Sequence, residues 1–253
     1  MHSVNVPDEG EYLNEKIRIN KYLSASGVMS RREADRFIMS GKILVNGSPA
    51  EPGMKVDGTE DILIDGKPLD KSPGSVKRIV IAYYKKRGIV TSTVDQGREK
   101  NNIIDALNYR ERVFPIGRLD KDSEGLILLT NDGNLVNRLL KGKGSHEKEY
   151  LVSLDKAITD EDISLMSKGG IELIPGRRSR PCKIKRQAFD KTGCMIDIIL
   201  TEGMNREIRR MAEFFGYRVM KLKRIRFINV TLDGLKPGEY RELTDSEIES
   251  LLL

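Results

Sequence analysis

The hydrophilic break Asp70-Lys71-Ser72-Pro73-Gly74-Ser75 constrains what this chain can fold into more than any other stretch. Proline removes a backbone donor, glycine frees the backbone, and the polar residues around them have nothing to bury, so no continuous core runs through it. Two folding units are therefore expected, a small one over residues 17–66 and a large one over residues 78–253, with residues 67–77 as linker. A length of 253 residues suits that division, and 38% hydrophobic residues without any Trp supply ordinary cores. Residues 1–16 are polar, carry a Pro and a Gly and lack periodic apolar positions, which reads as a disordered tail.

Several function classes find no support. No apolar run approaches the roughly 20 residues that cross a bilayer. The first residues have neither a basic n-region nor an apolar h-region, so a cytoplasmic protein without a membrane partner is expected. Cys182 and Cys194 are the only cysteines and read as reduced thiols that need no disulfide. With only His2 and His146 present, a Ser/His triad or a His-rich metal site would rest on almost a single residue. Neither a P-loop nor a dinucleotide fingerprint occurs. Carboxylate chemistry remains.

The net charge is +6 and the pI about 9.2. The excess is clustered, at Arg31-Arg32, Lys85-Lys86-Arg87, Arg177-Arg178 with Arg180, Arg209-Arg210 and Lys221 to Arg226. Such clusters suit a phosphate backbone. Solvated surface and a membrane-surface patch are the alternatives, and neither explains why separate segments share one sign.

In the small unit, Ile19, Tyr22 and Leu23 recur at helical spacing up to Gly27, which can end a helix in the left-handed region. A second helix follows, with the capping-box pair Ser30 and Glu33, the apolar stripe Ala34, Phe37 and Ile38, and Gly41 as its stop. Ile43 to Val45 before Asn46-Gly47, and Ile62 to Ile64 before Asp65-Gly66, read as strands with tight turns. The helices carry Arg18, Lys21, Arg31, Arg32 and Arg36, with Lys42 just beyond, and so present a basic surface. The run from Arg18 to Gly47 resembles the S4 RNA-binding domain along its whole length. That resemblance implies that the helix pair lies on RNA with Arg31 and Arg32 near phosphates; the alternative is that these arginines only pair with Glu33 and Asp35.

In the large unit, Ile79 to Tyr84 reads as a strand, Lys85 to Gly88 as a basic turn and Ile103 to Leu107 as part of a short helix. Pro115 and Gly117 then lead into a charged loop with Asp120 between Arg118 and Lys121, and Leu126 to Thr130 is an unbroken apolar run closed by Asn131-Asp132-Gly133. A carboxylate on a short loop beside a buried strand is rigidly supported, and flanking cations favour its ionised form, which suits a nucleophile or base. The plainer alternative is that Asp120 pairs with Arg118 to hold a turn. Alternation places Tyr150, Val152 and Leu154 on one strand face, at an edge of the sheet, and Ile158, Ile163, Leu165 and Met166 are expected in the core. Met195 to Thr201 reads as a further strand. Asn205 can cap a helix whose buried face is Ile208, Met211, Ala212 and Phe215, with Arg206, Arg209, Arg210 and Glu213 opposite. Gly216 ends that helix, basic strands follow to Val230, and Thr244, Asp245 and Glu247 open a last one. The expected class is α+β, with a catalytic domain on a mainly antiparallel sheet.

Gly117-Arg-Leu-Asp-Lys-Asp-Ser-Glu-Gly-Leu-Ile-Leu-Leu-Thr-Asn-Asp-Gly133, His146-Glu-Lys-Glu-Tyr150 and Glu202-Gly-Met-Asn-Arg-Glu-Ile-Arg-Arg-Met211 occur in family order and closely resemble the RsuA/RluB/RluE/RluF family of ribosomal RNA pseudouridine synthases. The resemblance runs from about Ile17 to near the C-terminus. It implies a catalytic Asp120, a Tyr150 that stacks on the target base, an Arg209 that pairs with the aspartate and a Leu200 that packs beside them, with Arg118 in support. Lys121, Arg206 and Arg210 join the cations of the small unit as expected RNA contacts. No metal and no cofactor are implied. The details around Val113-Phe114-Pro115 and His146 to Tyr150 point to large-subunit (23S) ribosomal RNA, with small-subunit RNA, a tRNA of similar loop, or a non-catalytic RNA-binding ribosome-assembly factor as alternatives. Nothing calls for a stable oligomer, so a monomer is expected. Three positions depart from the family pattern: Tyr-Lys-Lys-Arg-Gly at 84–88 replaces Asn-Lys-Pro-x-Gly, Glu207 replaces Gln, and Ser123 stands where Thr is common.

Overall fold

The computed structural model describes residues 16–70, 76–93, 101–141, 146–188 and 190–252. Residues 1–15 of the expected tail and 71–75 of the expected linker lie outside them. The chain divides into two compact units: one runs to Arg78 and includes Asn131–Gly133, and the other holds Ile79–Thr130 and the chain from Asn134 on.

In the first unit, α1 (Ile19–Ala25) and α2 (Arg31–Met39) form as the spacing predicts. The capping box is complete, with the Glu33 N–H donating to Ser30 Oγ at 3.1 Å and the Ser30 N–H donating to Glu33 Oε2 at 3.3 Å. Ile19, Tyr22 and Leu23 from α1 and Ala34 and Ile38 from α2 close over β1 (Ile43–Val45) and β2 (Ile62–Ile64) in one core. These strands pair antiparallel, Ile43 opposite Ile64, at the centre of a four-stranded sheet.

The second unit is built on a nine-stranded sheet. In chain order its main elements are β3 (Val80–Lys85), α3 (Ile103–Leu107), β4 (Phe114–Ile116), β5 (Glu124–Thr130), α4 (Gly133–Lys141), β6 (Lys148–Leu154), α5 (Asp160–Lys168), β7 (Lys183–Arg186), β8 (Met195–Leu200), α6 (Glu207–Phe214), β9 (Val219–Phe227), β10 (Tyr240–Glu242) and α7 (Asp245–Ser250). Across the sheet the order is β7, β8, β6, β9, β5, β3, β10, with β4 paired to β5 and the short strand Val230–Thr231 paired to β9. Among the described strands only β5 and β9 run parallel. The unbroken apolar run in β5 has a direct cause: Ile127 and Leu129 enter the core on one face while Leu126 and Leu128 enter the core on the other. β3 behaves alike, sending Ile81 and Tyr83 one way and Val80, Ala82 and Tyr84 the other. β6 is covered on one face only, which its alternation shows, with Tyr150, Val152 and Leu154 in a single core.

Four expectations need correction. The strand with Tyr150 is interior, flanked by β8 and β9, because its backbone groups bond on both sides. Gly133 opens a helix instead of merely closing a turn; Leu135 and Leu139 recur at helical spacing and are buried. Leu165 is 43% exposed, since the face of α5 that packs inward is set by Met166 and Ile163. Lys85 belongs to β3 and not to a surface turn, as the active-site geometry explains.

Candidate active site

β4 and β5 pair as a hairpin, Ile116 opposite Leu128, and residues 117–123 form the loop between them. Leu119 is pinned on both sides by Thr91, whose hydroxyl donates to the Leu119 carbonyl at 2.6 Å and accepts the Leu119 N–H at 3.2 Å. The Ser123 N–H donates to the Asp120 carbonyl at 3.0 Å. A buried cation completes the support: Lys85 has no exposed surface, and its ammonium donates to the carbonyls of Ser123 (2.7 Å), Ile89 (2.8 Å) and Lys86 (3.1 Å). Three carbonyls offset the desolvation of one charge. Burial pulls this lysine down to about 8, while the nearby Asp120, Asp122 and Glu124 charges act against that shift.

Asp120, half-buried, borders a cleft of about 570 Å³. That size lies within the roughly 300–1,000 Å³ range of ligand sites. Arg118, Tyr150 and Leu200 border the same cleft, so four of the sequence-derived site residues meet there. Tyr150 is 9% and Leu200 4% exposed. Among the described residues no hydrogen bond or ion pair reaches the Asp120 carboxylate, and Arg118 does not hold it in a turn.

Arg209 stands behind the loop rather than on the carboxylate. Its guanidinium donates to the Val219 carbonyl at 3.0 Å and to the Asp122 carbonyl at 3.2 Å, which ties α6 to the loop two residues past Asp120. Burial, then Arg206, lowers its pKa, and the Asp120 and Asp122 charges oppose this. Helix α6 also departs from expectation at its start. The capping position is Arg206 in the left-handed region (φ 54°) with no side-chain cap, so Asn205 does not cap it. Its faces do not separate cleanly by charge, because Glu207 is buried and Arg209 half-buried.

Three further groups border the cleft, of which the sequence reading singled out only Glu207, as a departure from the family pattern. Arg224 is 3% exposed, donates through Nε to the Leu126 carbonyl at 2.7 Å and lies over the Phe227 ring. It comes so close to β5 because residue 125 is glycine: a Cβ there would meet the Arg224 carbonyl oxygen at 2.2 Å. Lys148 also lies over Phe227, and burial, then Arg224, lowers its pKa. Glu207 has burial as the main cause of a carboxyl pushed up to about 7. The alternation Leu222, Arg224 in β9 was a signal for the first, and nothing local marked Lys148.

The expected RNA contacts divide. Arg18, Arg31, Arg32, Arg36 and Lys42 are exposed on the first unit and Lys21 is half-buried. Glu33 serves the capping box and Asp35 accepts from Asn20 at 2.8 Å, which argues against Arg31 and Arg32 serving only as their partners. Lys42 pairs with Asp65 at 3.5 Å. In the second unit Lys121 and Arg206 are exposed, whereas Arg210 donates to the Leu173 carbonyl at 3.0 Å and is partly buried.

No helix among the described residues is long and apolar enough to cross a membrane. Residues 17–63 match the S4 domain family and residues 79–214 the RNA pseudouridylate synthase family. The chain is 47% identical over 234 residues to the dual-specificity RNA pseudouridine synthase RluF of Salmonella typhi, covering 92% of this chain and 78% of the relative. It is 36% identical over 237 residues to the ribosomal large subunit pseudouridine synthase B of Bacillus subtilis, covering 92% and 95%. A crystal structure of a pseudouridylate synthase superposes with a TM-score of 0.65 at 27% identity, over 93% of this chain and 99% of that one. An S4 domain ahead of a synthase domain, with sequence likeness along both, leads to one conclusion: the chain belongs to the RsuA/RluB/RluE/RluF family of RNA pseudouridine synthases, isomerases that act on RNA, and its likeness to RluF is strong.

Proposed function

We propose that this isomerase converts a specific uridine of large-subunit (23S) ribosomal RNA to pseudouridine, with Asp120 as the acting group. The observation that carries this reading is the meeting of Asp120, Tyr150 and Leu200 in one cleft, with the Asp120 carboxylate not engaged by other described groups. The target uridine must leave its stack, at a cost of a few kcal/mol. Stacking on Tyr150, worth roughly 1–3 kcal/mol, offsets that cost, and Leu200 gives the base an apolar wall. The N-glycosidic bond then breaks, the base turns in place and C5 joins C1′. Whether the carboxylate adds to the base, attacks the sugar or takes a sugar proton, each route begins from an ionised Asp120. Lys85 and Arg209 support each route by holding the loop that carries Asp120.

The exposed cations of the S4 unit dock the RNA in this reading, together with Lys121 and Arg206. The RluF relatives are named dual-specificity enzymes, so a second RNA, a tRNA with a similar loop, belongs to the same proposal. Asp120→Asn is the test. Turnover on 23S transcripts should fall by at least about 10³-fold while RNA affinity stays within about threefold. Normal turnover by that variant would remove Asp120 from the chemistry.

A further inference from the structure

Glu207 opens α6, is 4% exposed and borders the cleft. Its two oxygens differ. Oε2 accepts the Met204 N–H at 2.9 Å, whereas Oε1 is buried and receives no hydrogen bond. The group beside it is a second carboxyl, Glu202, in the loop that follows β8. Glu202 is itself held, by the Arg180 N–H at 2.5 Å and the Arg180 guanidinium at 3.9 Å. Two carboxylates facing each other in a poorly hydrated place offer acceptors and no donor, and a single proton between them turns repulsion into a hydrogen bond.

We propose that Glu207 is a positioning residue that works as a neutral acid: with Oε2 on Met204 and the Oε1 proton on Glu202, it holds residues 202–206 as the lip of the cleft, and loss of that proton releases the lip. Met204, Asn205 and Arg206 border the cleft from this lip, so its geometry reaches any base bound there. The surrounding charges are compatible with this role. Burial and Glu202 push the Glu207 carboxyl up to about 7 against the Met204 N–H and the Lys148 ammonium. That ammonium, on β6, donates to the His146 carbonyl at 3.1 Å and faces Arg224 on β9. The Cys182 thiol near the pair is pushed up to about 11 by burial, then by Glu207 and Glu202, and is neutral. The inference uses the 23S reading only for one of its two readouts.

Glu207→Gln keeps an acceptor for Met204 and places a permanent donor toward Glu202. On a 23S ribosomal RNA transcript, wild-type kcat should fall about tenfold per pH unit above about 7, and the variant profile should be flat there. Superimposable profiles would overturn the proposal. Stability gives a readout that needs no RNA. A carboxyl raised from 4.5 to about 7 stays protonated in the folded chain where the unfolded chain has lost its proton, so wild-type stability drops as pH rises through that window and is level above it. The Tm advantage of Glu207→Gln over wild type should therefore open across that window; a difference independent of pH would overturn the proposal. If the 23S transcript is not turned over at all, the substrate reading fails and the Tm result still decides this one. Glu202→Gln, which turns an amide donor toward an ionised Glu207, should flatten both dependences and serves if the first variant does not fold.

Discussion

Arg31 and Arg32 project from α2 with exposed side chains, and the acids nearest to them in sequence are engaged elsewhere. Lys85 and Arg224 are almost wholly buried, and their side chains donate to backbone carbonyls, among them Ser123 and Leu126 in the loop and strand that follow Asp120. Both units carry clustered cations, yet the same charge serves two ends. On the first it stays hydrated and free to meet phosphate, where its worth appears as salt-dependent affinity. In the second it replaces missing hydrogen-bond donors, where its worth appears as a fixed loop. Counting lysines and arginines would have assigned both sets to RNA.

The sharpest way to break this contrast is Lys85→Met. Three carbonyls would lose their donor at once, and a loss of about 3–5 kcal/mol in urea unfolding is expected, with turnover falling alongside. A loss below about 1 kcal/mol would show that the carbonyls find other donors. An intermediate case lies in α7, where Arg241 donates to both oxygens of Glu247 at 2.9 and 2.7 Å and the side chains are 36% and 29% exposed. The Arg241 hydrogen bond is the main cause of a Glu247 carboxyl pushed down to about 2. A depressed carboxyl stabilises above its unfolded value of 4.5 and loses that contribution as pH falls toward about 2. Glu247→Gln should therefore lower stability by roughly 1 kcal/mol at neutral pH, after allowance for solvent screening, and the gap should close in acid. The smallest stability effect belongs to Arg31→Gln with Arg32→Gln, within about 0.5 kcal/mol. Its signature lies in binding: the slope of log affinity for RNA against log salt should shrink by roughly 0.7–0.9 per arginine. An unchanged slope would take α2 out of the RNA interface.

Several local patterns were legible because burial or capping imposes them. The capping box at Ser30 marks a helix start, the alternation of Tyr150, Val152 and Leu154 follows from one buried face, and the unbroken apolar run of β5 from two. The meeting of Asp120, Tyr150 and Leu200 was legible only through resemblance, because the three lie on segments far apart in the chain. The misreadings share a cause. Lys85 was taken as part of a basic turn and Arg210 as an RNA contact, and each is held inward by a carbonyl remote in sequence; Arg209, expected on the aspartate, is held instead by the carbonyls of Val219 and Asp122.

By itself the sequence determined the two units, the α+β class, the capped helix starts at Ser30 and Thr244 and the membership in an RNA-modifying family, since these depend on neighbours within a turn or a strand pair, or on motif order along the chain. Tertiary structure alone decided which charges are buried. That outcome turns on whether a distant carbonyl waits at the end of the side chain, and only the packed sheet brings Ser123 to Lys85 and Leu126 to Arg224.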